Sequence, residues 1–547
     1  MRQASRSLQE FDAIVVGTGI GGATIGFALA RSGWRVAFCE RGMGRGPSTI
    51  VGDYPEQARA AAPYAAAGDD RLSHAGRWTT SIDDASDTRV RSFVPFIGCG
   101  VGGSSALYGM AMERFAPADF EPRLGRTSRH AGRPAGAAWP IGFDTLQPFY
   151  DQAERLYRVR GTADPLRADR PQLLTPPALS SAAAGLASAL SARGLHPYQL
   201  PAAAEFVEDC RSCQGYLCAN ACKNDSWRVA LEPAMREHGA VLMDECEVIS
   251  IRSSGHKVQA LECVRRGRRL ALHGRVVILA AGALSTPALL LRSASADWPA
   301  GLANGSGLVG RNLMRHLIDL YPVKVPEPQD FDNRRKELAF NDFYVHQGVK
   351  LGTVQSFGRL PPPALILRDL HEGLAARGRG WARPLLGLAA PLLRAHLERL
   401  VSTRLTLASI VEDSADPHNR VELAAGDTQR LAIRYRIADD DRHRVRLMRN
   451  LVRGALGQMS HGFIASAEDN QRIAHVCGTC RFGDDPRHSV LDINCRAHEV
   501  ENLYIVDASF FPTSAGTNPS LTIAANALRV AAALTGHTQL ADSAAAS

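Results

Sequence analysis

An α/β fold is predicted, with a Rossmann-like nucleotide-binding domain interrupted by a discontinuous second domain, an antiparallel sheet packed by helices. Three observations predict it. Near the start, Asp12-Ala13-Ile14-Val15-Val16-Gly17-Thr18-Gly19-Ile20-Gly21-Gly22 leads on to Glu40. Near the end, His475-Val476-Cys477-Gly478-Thr479-Cys480 is followed by Thr517-Asn518-Pro519. From about Arg311 to Asp469 polar and apolar residues alternate, as in Arg420-Val421-Glu422-Leu423 and Leu431-Ala432-Ile433-Arg434-Tyr435. The first is a nucleotide cradle, and the second offers a base and an amide. The third reads as an antiparallel sheet, the natural wall of a substrate pocket. A cradle completed by a base from the far end of the chain suggests a redox enzyme.

Ala13 to Val16 is a short apolar run bounded by glycine, as expected of a strand buried on both faces in a parallel sheet. Gly17, Gly19 and Gly22 fill the three glycine positions of the dinucleotide fingerprint. They serve the tight turn, the approach of backbone to a pyrophosphate, and the close packing of helix on strand. A helix follows from Ala23 to Ser32 and stops at Gly33. The strand Arg35 to Cys39 then delivers Glu40, an acid placed to accept from a ribose hydroxyl and to repel the extra phosphate of NADP. A glycine pattern alone is weak; strand, helix, second strand and acid together argue against a mere glycine-rich turn.

Beyond residue 115 the pattern changes. Helical segments and a cysteine-rich loop run from Trp139-Pro140 to about Met235. A strand Cys246 to Ile251 comes next, then Val276-Val277-Ile278-Leu279-Ala280-Ala281-Gly282-Ala283, whose small residues let the backbone approach something flat. The expected divisions are 1–135 and 240–315 for the two parts of the nucleotide domain and 136–239 for the helical, cysteine-rich segment. Residues 316–470 form the substrate domain, and 471–547 the closing catalytic segment. No internal repeat is evident, and the Ala541 to Ser547 end reads as a frayed tail.

Composition fits one large soluble enzyme. The 547 residues are 45% hydrophobic and 22% charged, which allows a sizeable core and excludes global disorder. The net charge of +8, from 63 basic and 55 acidic residues, is spread over arginine-rich patches such as Arg265-Arg266-Gly267-Arg268-Arg269 without aromatic interleaving. That favours a solvated basic surface over nucleic-acid binding. Met1 to Glu10 is polar and carries no secretory signal, so a cytoplasmic location is expected. No stretch reaches the roughly 20 apolar residues of a membrane span. The closest, Trp381 to Leu400, holds two prolines and three arginines. It could lie at an interface or over a lipophilic substrate; a substrate-domain helix packed on the core is the expectation.

His475 is the candidate base. A lone histidine is more often a satisfied core residue, but its framing by Gly478-Thr479 and Asn518 favours catalysis. The other sixteen of 17 histidines lack that context, and His316 is read as structural.

Taken together, these residues resemble the glucose–methanol–choline (GMC) oxidoreductase family over nearly the whole chain. The resemblance rests on Gly17-x-Gly19-x-x-Gly22 with Glu40; Gly100-Val101-Gly102-Gly103-Ser104-Ser105; and Leu279-Ala280-Ala281-Gly282-Ala283-Leu284-Ser285-Thr286-Pro287. Gly310-Arg311-Asn312-Leu313 with His316, and His475-x-x-Gly478-Thr479 through Asn518-Pro519, complete it. It implies FAD, a Rossmann-like FAD domain and a substrate domain built on a twisted antiparallel sheet. The implied cofactor-binding residues are Gly17, Thr18, Gly19, Ile20 and Gly22, with Glu40 on the adenosine ribose and Val248 on the strand that meets adenine. Gly102, Gly103 and Ser104 would pass over the flavin edge; Ala281, Gly282, Asp507, Ala508 and Pro519 complete the set. His475 matches the family's catalytic histidine and Asn518 its partner. The implied reaction oxidises the CH–OH of an alcohol, polyol or sugar by hydride transfer to flavin N5. A neutral imidazole suits removal of the hydroxyl proton, and an amide fixes the oxygen. FAD accepts the hydride.

Two positions depart from the family. Leu107 stands where some members attach the flavin covalently to a histidine, so dissociable FAD is expected; Tyr108 replaces a frequent asparagine. The cysteines Cys210-x2-Cys213-x4-Cys218-x3-Cys222 are a further puzzle. A disulfide framework is a poor explanation without a secretory signal. Closely spaced thiolates can hold a metal or iron–sulfur cluster, and bacterial glucose dehydrogenases of the family carry one in a similar place. Alcohol oxidases of the family resemble the same segment, through Cys222-Lys223-Asn224-Asp225, without evident need for a cluster. The expectation is no metal, with free thiols in a structured flavin-covering loop. For the whole chain, the leading reading passes electrons to a non-oxygen carrier, so an electron-carrier partner is envisaged. The alternatives are an oxygen-using oxidase releasing peroxide and a non-catalytic flavoprotein.

Overall fold

The strand Phe11–Val16 lies at the centre of a five-stranded sheet. Gly274–Leu279 and then Leu503–Ile505 flank it on one side, Val36–Cys39 and then Val241–Met243 on the other, every pairing parallel. These coordinates form a computed structural model that describes residues 11–55, 70–121, 138–325, 332, 334–363, 365–367, 381, 383–471, 473 and 475–536. Ala13, Ile14 and Val15 have no exposed surface, as a strand covered on both faces requires. The helix Ile20–Arg31 covers one face. Its approach needs glycine: a Cβ on Gly22 would stand 2.1 Å from the Gly17 carbonyl oxygen. Gly17 itself turns with φ +98°, and a Cβ there would meet the Ala280 oxygen at 2.4 Å.

The two ends of the chain meet at this sheet. Leu503–Ile505 pairs with Gly274–Leu279, and the C-terminal helix Ser520–Thr535 packs against Ile20–Arg31. One hydrophobic core surrounds them.

A second core surrounds a five-stranded antiparallel sheet in the order Leu317–Val323, Leu405–Val411, Val354–Ser356, Leu338–Phe340, Tyr198–Gln199. The antiparallel sheet expected from alternation is therefore present, but the alternating segments lie outside it, lining the cavity through Asp427, Gln429, Arg430 and Leu431. Arg420–Ala424 and Asp427–Arg434 form a hairpin that joins Ile82–Asp84 and Arg91–Phe93 in a separate four-stranded sheet. The inner strand Leu405–Val411 is buried at every position and so shows no alternation. Cys246–Ser254 heads a three-stranded antiparallel sheet with Lys257–Arg265 and Arg268–Leu272.

The expectation for Trp381 to Leu400 is corrected. A helix spans Arg383–Thr403, but none of its described side chains is buried. Leu388 and Leu392 are 81% and 80% exposed. No described helix is long and apolar enough to cross a membrane. Met1 to Glu10 and the Ala541 to Ser547 tail lie outside the described residues.

Candidate active site

A cavity of about 1070 Å³ runs between the two sheets. Gly17, Thr18, Gly19, Ile20, Glu40, Gly103, Ser104, Val248, Ala281, Gly282, Asp507, Ala508 and Pro519 line it, as do His475 and Asn518. Gly22 and Gly102 stand behind this lining. Gly22 packs the helix against the glycine turn, and Gly102 N–H donates to Thr18 Oγ1 at 3.2 Å. The opposite wall comes from the antiparallel sheet, through Ile318, Gln355, Ala408 and Ile410.

The nucleotide end is tied together by short bonds. Glu40 Oε2 accepts from Thr18 N–H at 3.2 Å and Thr18 Oγ1 at 2.6 Å, and Oε1 accepts from Gly42 N–H at 2.9 Å. A carboxylate has about four acceptor sites, so capacity for a ribose hydroxyl remains. Ser226 Oγ donates to Thr18 O at 2.9 Å and lies 2.9 Å from Ser105 Oγ, which donates to Gly102 O at 2.7 Å. The two glycine loops are thereby locked to each other. Ser105 and Ser226 escape sequence reading because single serines carry no pattern. Asp507 Oδ2 accepts from Gly282 N–H at 2.9 Å and Thr286 Oγ1 at 2.5 Å, fixing the Ala281-Gly282 turn. Burial raises the pKa of that carboxyl, opposed by these bonds. A Cβ on Gly19, in contrast to Gly17 and Gly22, meets no atom within 4 Å. The cradle thus leaves an open face of bare backbone, which fits the pyrophosphate of a dinucleotide.

The other end holds the titratable groups. His475 adopts φ +56°, a conformation that costs a non-glycine residue about 1–3 kcal/mol and persists only where surroundings impose it. The imposing contact is an antiparallel bridge in which Cys477 and Met314 exchange N–H···O bonds of 3.0 Å. This bridge sets Met314-Arg315-His316 beside His475, and Nδ1 of His316 lies 2.8 Å from Nδ1 of His475. Nε2 of His316 faces the carbonyls of Ser514 and Ala515 at 2.9 and 3.1 Å.

The tautomers follow from these partners. Carbonyls only accept, so His316 carries its proton on Nε2. Burial lowers the pKa of His316, keeping it neutral, and its bare Nδ1 accepts from His475 Nδ1–H. The lone pair of His475 is then on Nε2. Asn518 Nδ2 donates toward that atom across a long 3.4 Å, and Asn518 Oδ1 is buried without a partner. Both atoms are available to a hydroxyl group. Burial first, then repulsion from any proton taken up by His316 and from the Lys336 ammonium, holds the His475 pKa well below its usual value, so it stands ready as a neutral acceptor. His316, read from sequence as structural, does brace two carbonyls, but it also touches the candidate base.

Lys336 lines the same end and has no hydrogen-bond or ion-pair partner among the described residues; burial lowers its pKa to about 8. Sequence reading missed it, as nothing local marks one lysine among 63 basic residues. Leu107 and Tyr108 also line the cavity, and the Tyr108 hydroxyl is committed to Asn224 O at 2.7 Å.

The cysteine-rich loop sits behind Leu107. Cys210 and Cys218 lie 3.4 and 3.5 Å from Cys222 through their sulfurs, and none of the eleven cysteines is in a disulfide. Lys223, buried, donates to Ala106 O at 2.8 Å and Tyr216 O at 3.1 Å. That anchors the loop to the turn after Gly103. A second thiol group, unmarked by spacing in the sequence, gathers Cys39, Cys246 and Cys263 with sulfurs within 4.8 Å of one another.

Two family models match the chain, those of the N-terminal part of GMC oxidoreductases over residues 11–318 and of the C-terminal part over 415–527. The chain is 28% identical to 6'''-hydroxyparomomycin C oxidase of Streptomyces lividus, covering 96% of this chain and 92% of that protein. It is 25% identical to 2-methyl-1,2-propanediol dehydrogenase of Mycolicibacterium austroafricanum, covering 96% and 95%. Among solved structures, pyridoxine 4-oxidase from Mesorbium loti superposes with a TM-score of 0.63 at 21% identity, covering 96% of this chain and 100% of that one.

Proposed function

The chain belongs to the GMC oxidoreductase family, and from that premise we propose that it oxidises the CH–OH group of a small alcohol, polyol or sugar to an aldehyde or ketone. FAD is its cofactor. The residues proposed to hold it are the Gly17 to Gly22 turn, Glu40, the Gly102-Gly103-Ser104 turn, Val248, Ala281, Gly282, Asp507, Ala508 and Pro519. Bound FAD supplies the two-electron acceptor for the hydride leaving carbon.

The protein's own part is positional and acid–base. His475 Nε2 takes the hydroxyl proton, without which a positive charge would remain on the oxidised carbon. Asn518 binds the same oxygen and sets its angle. His316 holds the His475 proton on Nδ1. Ile318, Ala408, Ile410 and Phe357 keep that end apolar, which strengthens each of these contacts. The observation that carries the reading is the convergence of His475 Nε2 and the Asn518 amide on the cavity that the glycine cradle lines. The substrates named for the relatives, a hydroxyparomomycin and a propanediol, support a hydroxyl donor.

Electrons are proposed to leave for a non-oxygen acceptor. Supporting this, Tyr108 places a large ring where the resemblance has a frequent asparagine, with its hydroxyl turned to Asn224. Anaerobic titration with a panel of alcohols, followed spectroscopically, tests both statements. Bleaching that persists after air is admitted and reverses with a dye acceptor supports the scheme; immediate return of colour with peroxide assigns oxygen. In the same assay His475→Ala should slow reduction roughly 10²–10⁴-fold with FAD retained. Reduction at the normal rate would remove His475 as the base.

A further inference from the structure

The helix Arg383–Thr403 is the least covered element of the described structure. Its half-buried positions, Leu386, Ala390, Leu393, Leu397 and Leu400, recur at helical spacing and trace one side of it. Another side carries Leu385, Leu388 and Leu392, exposed by 59, 81 and 80%, with Trp381 one turn earlier at 74%. Four large apolar side chains on one stripe are more than a solvated surface explains. Arg394, His396 and Arg399 are exposed around its C-terminal end. From Arg377 to Arg404 the sequence holds six arginines and one acid, Glu398, which pairs with Arg394 at 2.9 Å.

We propose that this face docks on an anionic phospholipid surface, the helix lying in the plane of the interface. Charge complementarity selects that occupant. A second copy would oppose one arginine-rich segment to another in a chain of net charge +8, and like charges facing each other repel. A lid over the cavity is not supported, because none of the described residues from 358 to 405 lines it. Spanning is excluded for this helix by its polarity, its 21 residues being long enough. Leucines and a tryptophan on one stripe of an arginine-rich segment are what an interfacial helix uses: apolar side chains enter the headgroup–acyl boundary while guanidinium groups meet phosphate. The inference is independent of the proposed reaction.

Flotation of full-length, FAD-loaded protein with extruded vesicles tests it. Vesicles of phosphatidylcholine with phosphatidylglycerol should carry the protein upward and blue-shift tryptophan emission. Vesicles of phosphatidylcholine alone should bind at least about tenfold less, and high salt should release much of the bound protein. The surface variant Leu385→Ser/Leu388→Ser/Leu392→Ser should lose binding by on the order of 10²-fold while keeping FAD and its melting temperature. Arg394→Gln/Arg399→Gln should remove the lipid selectivity, and Trp381→Phe should remove the emission shift. Three results would overturn the proposal: no flotation with either vesicle, undiminished flotation of the triple serine variant, or a dimer by light scattering that this variant converts to monomer. The last would give the face to a second copy.

Discussion

Replacing His316 by leucine tests how the proposed base is kept in its working tautomer. His475 Nδ1–H has one acceptor, the His316 Nδ1 at 2.8 Å. That acceptor exists because His316 Nε2–H is committed to Ser514 O and Ala515 O. Leucine leaves the buried Nδ1–H unpaired, at a cost of about 1–3 kcal/mol. The imidazole escapes that cost by moving its proton to Nε2, and the lone pair aimed at the cavity is then lost. The limiting rate of flavin reduction should fall roughly five- to 150-fold, as a 1–3 kcal/mol penalty requires. Glutamine can offer an oxygen to Nδ1–H and an N–H₂ to the Ser514 carbonyl, so His316→Gln should recover most of the rate. Anaerobic stopped-flow measurement at varied substrate separates the two parameters: reduction slows while substrate affinity holds. A wild-type reduction rate in His316→Leu would refute the tautomer argument. Equal loss of FAD from the leucine and glutamine variants would make His316 a brace only.

The remaining predictions concern charge and cofactor. Because burial, His316 and Lys336 hold the His475 pKa well below the usual 6.5, the base stays neutral as pH falls to that value. Reduction should be flat above pH 6.5 and fall only at more acid pH; a limb centred above neutrality would contradict it. Lys336→Met removes a neighbouring positive charge and so should raise the His475 pKa, moving the acid limb upward; an unmoved limb would separate Lys336 from the base. With Leu107 where the family resemblance implies covalent attachment in some members, acid precipitation should release the flavin to the supernatant, and flavin retained in the pellet would sink the expectation.

The cradle was legible because it is local. Strand, turn, helix, strand and acid occupy Ala13 to Glu40, and each glycine there answers a steric demand that one stretch of chain creates for itself. The antiparallel sheet was legible in kind but not in place. Alternation marks a strand with one wet face, so it found the Arg420–Arg434 hairpin, whereas Leu405–Val411, an inner strand of the five-stranded sheet, is buried throughout and shows only an apolar run. The exposed helix inverted its expectation, since an apolar composition states that a surface wants cover and not what covers it.

By itself, then, the sequence determined the nucleotide turn, the acid beside it and the candidacy of His475 and Asn518. Those depend on residue type and on spacing within one segment. Only the tertiary structure decided that His316, 159 residues from His475, faces its Nδ1, that Lys336 stands at the same end of the cavity, and that Ser226 locks the two glycine loops. Such contacts are made by strand register and sheet packing across the whole chain, and a single histidine, lysine or serine carries no local pattern that could announce them.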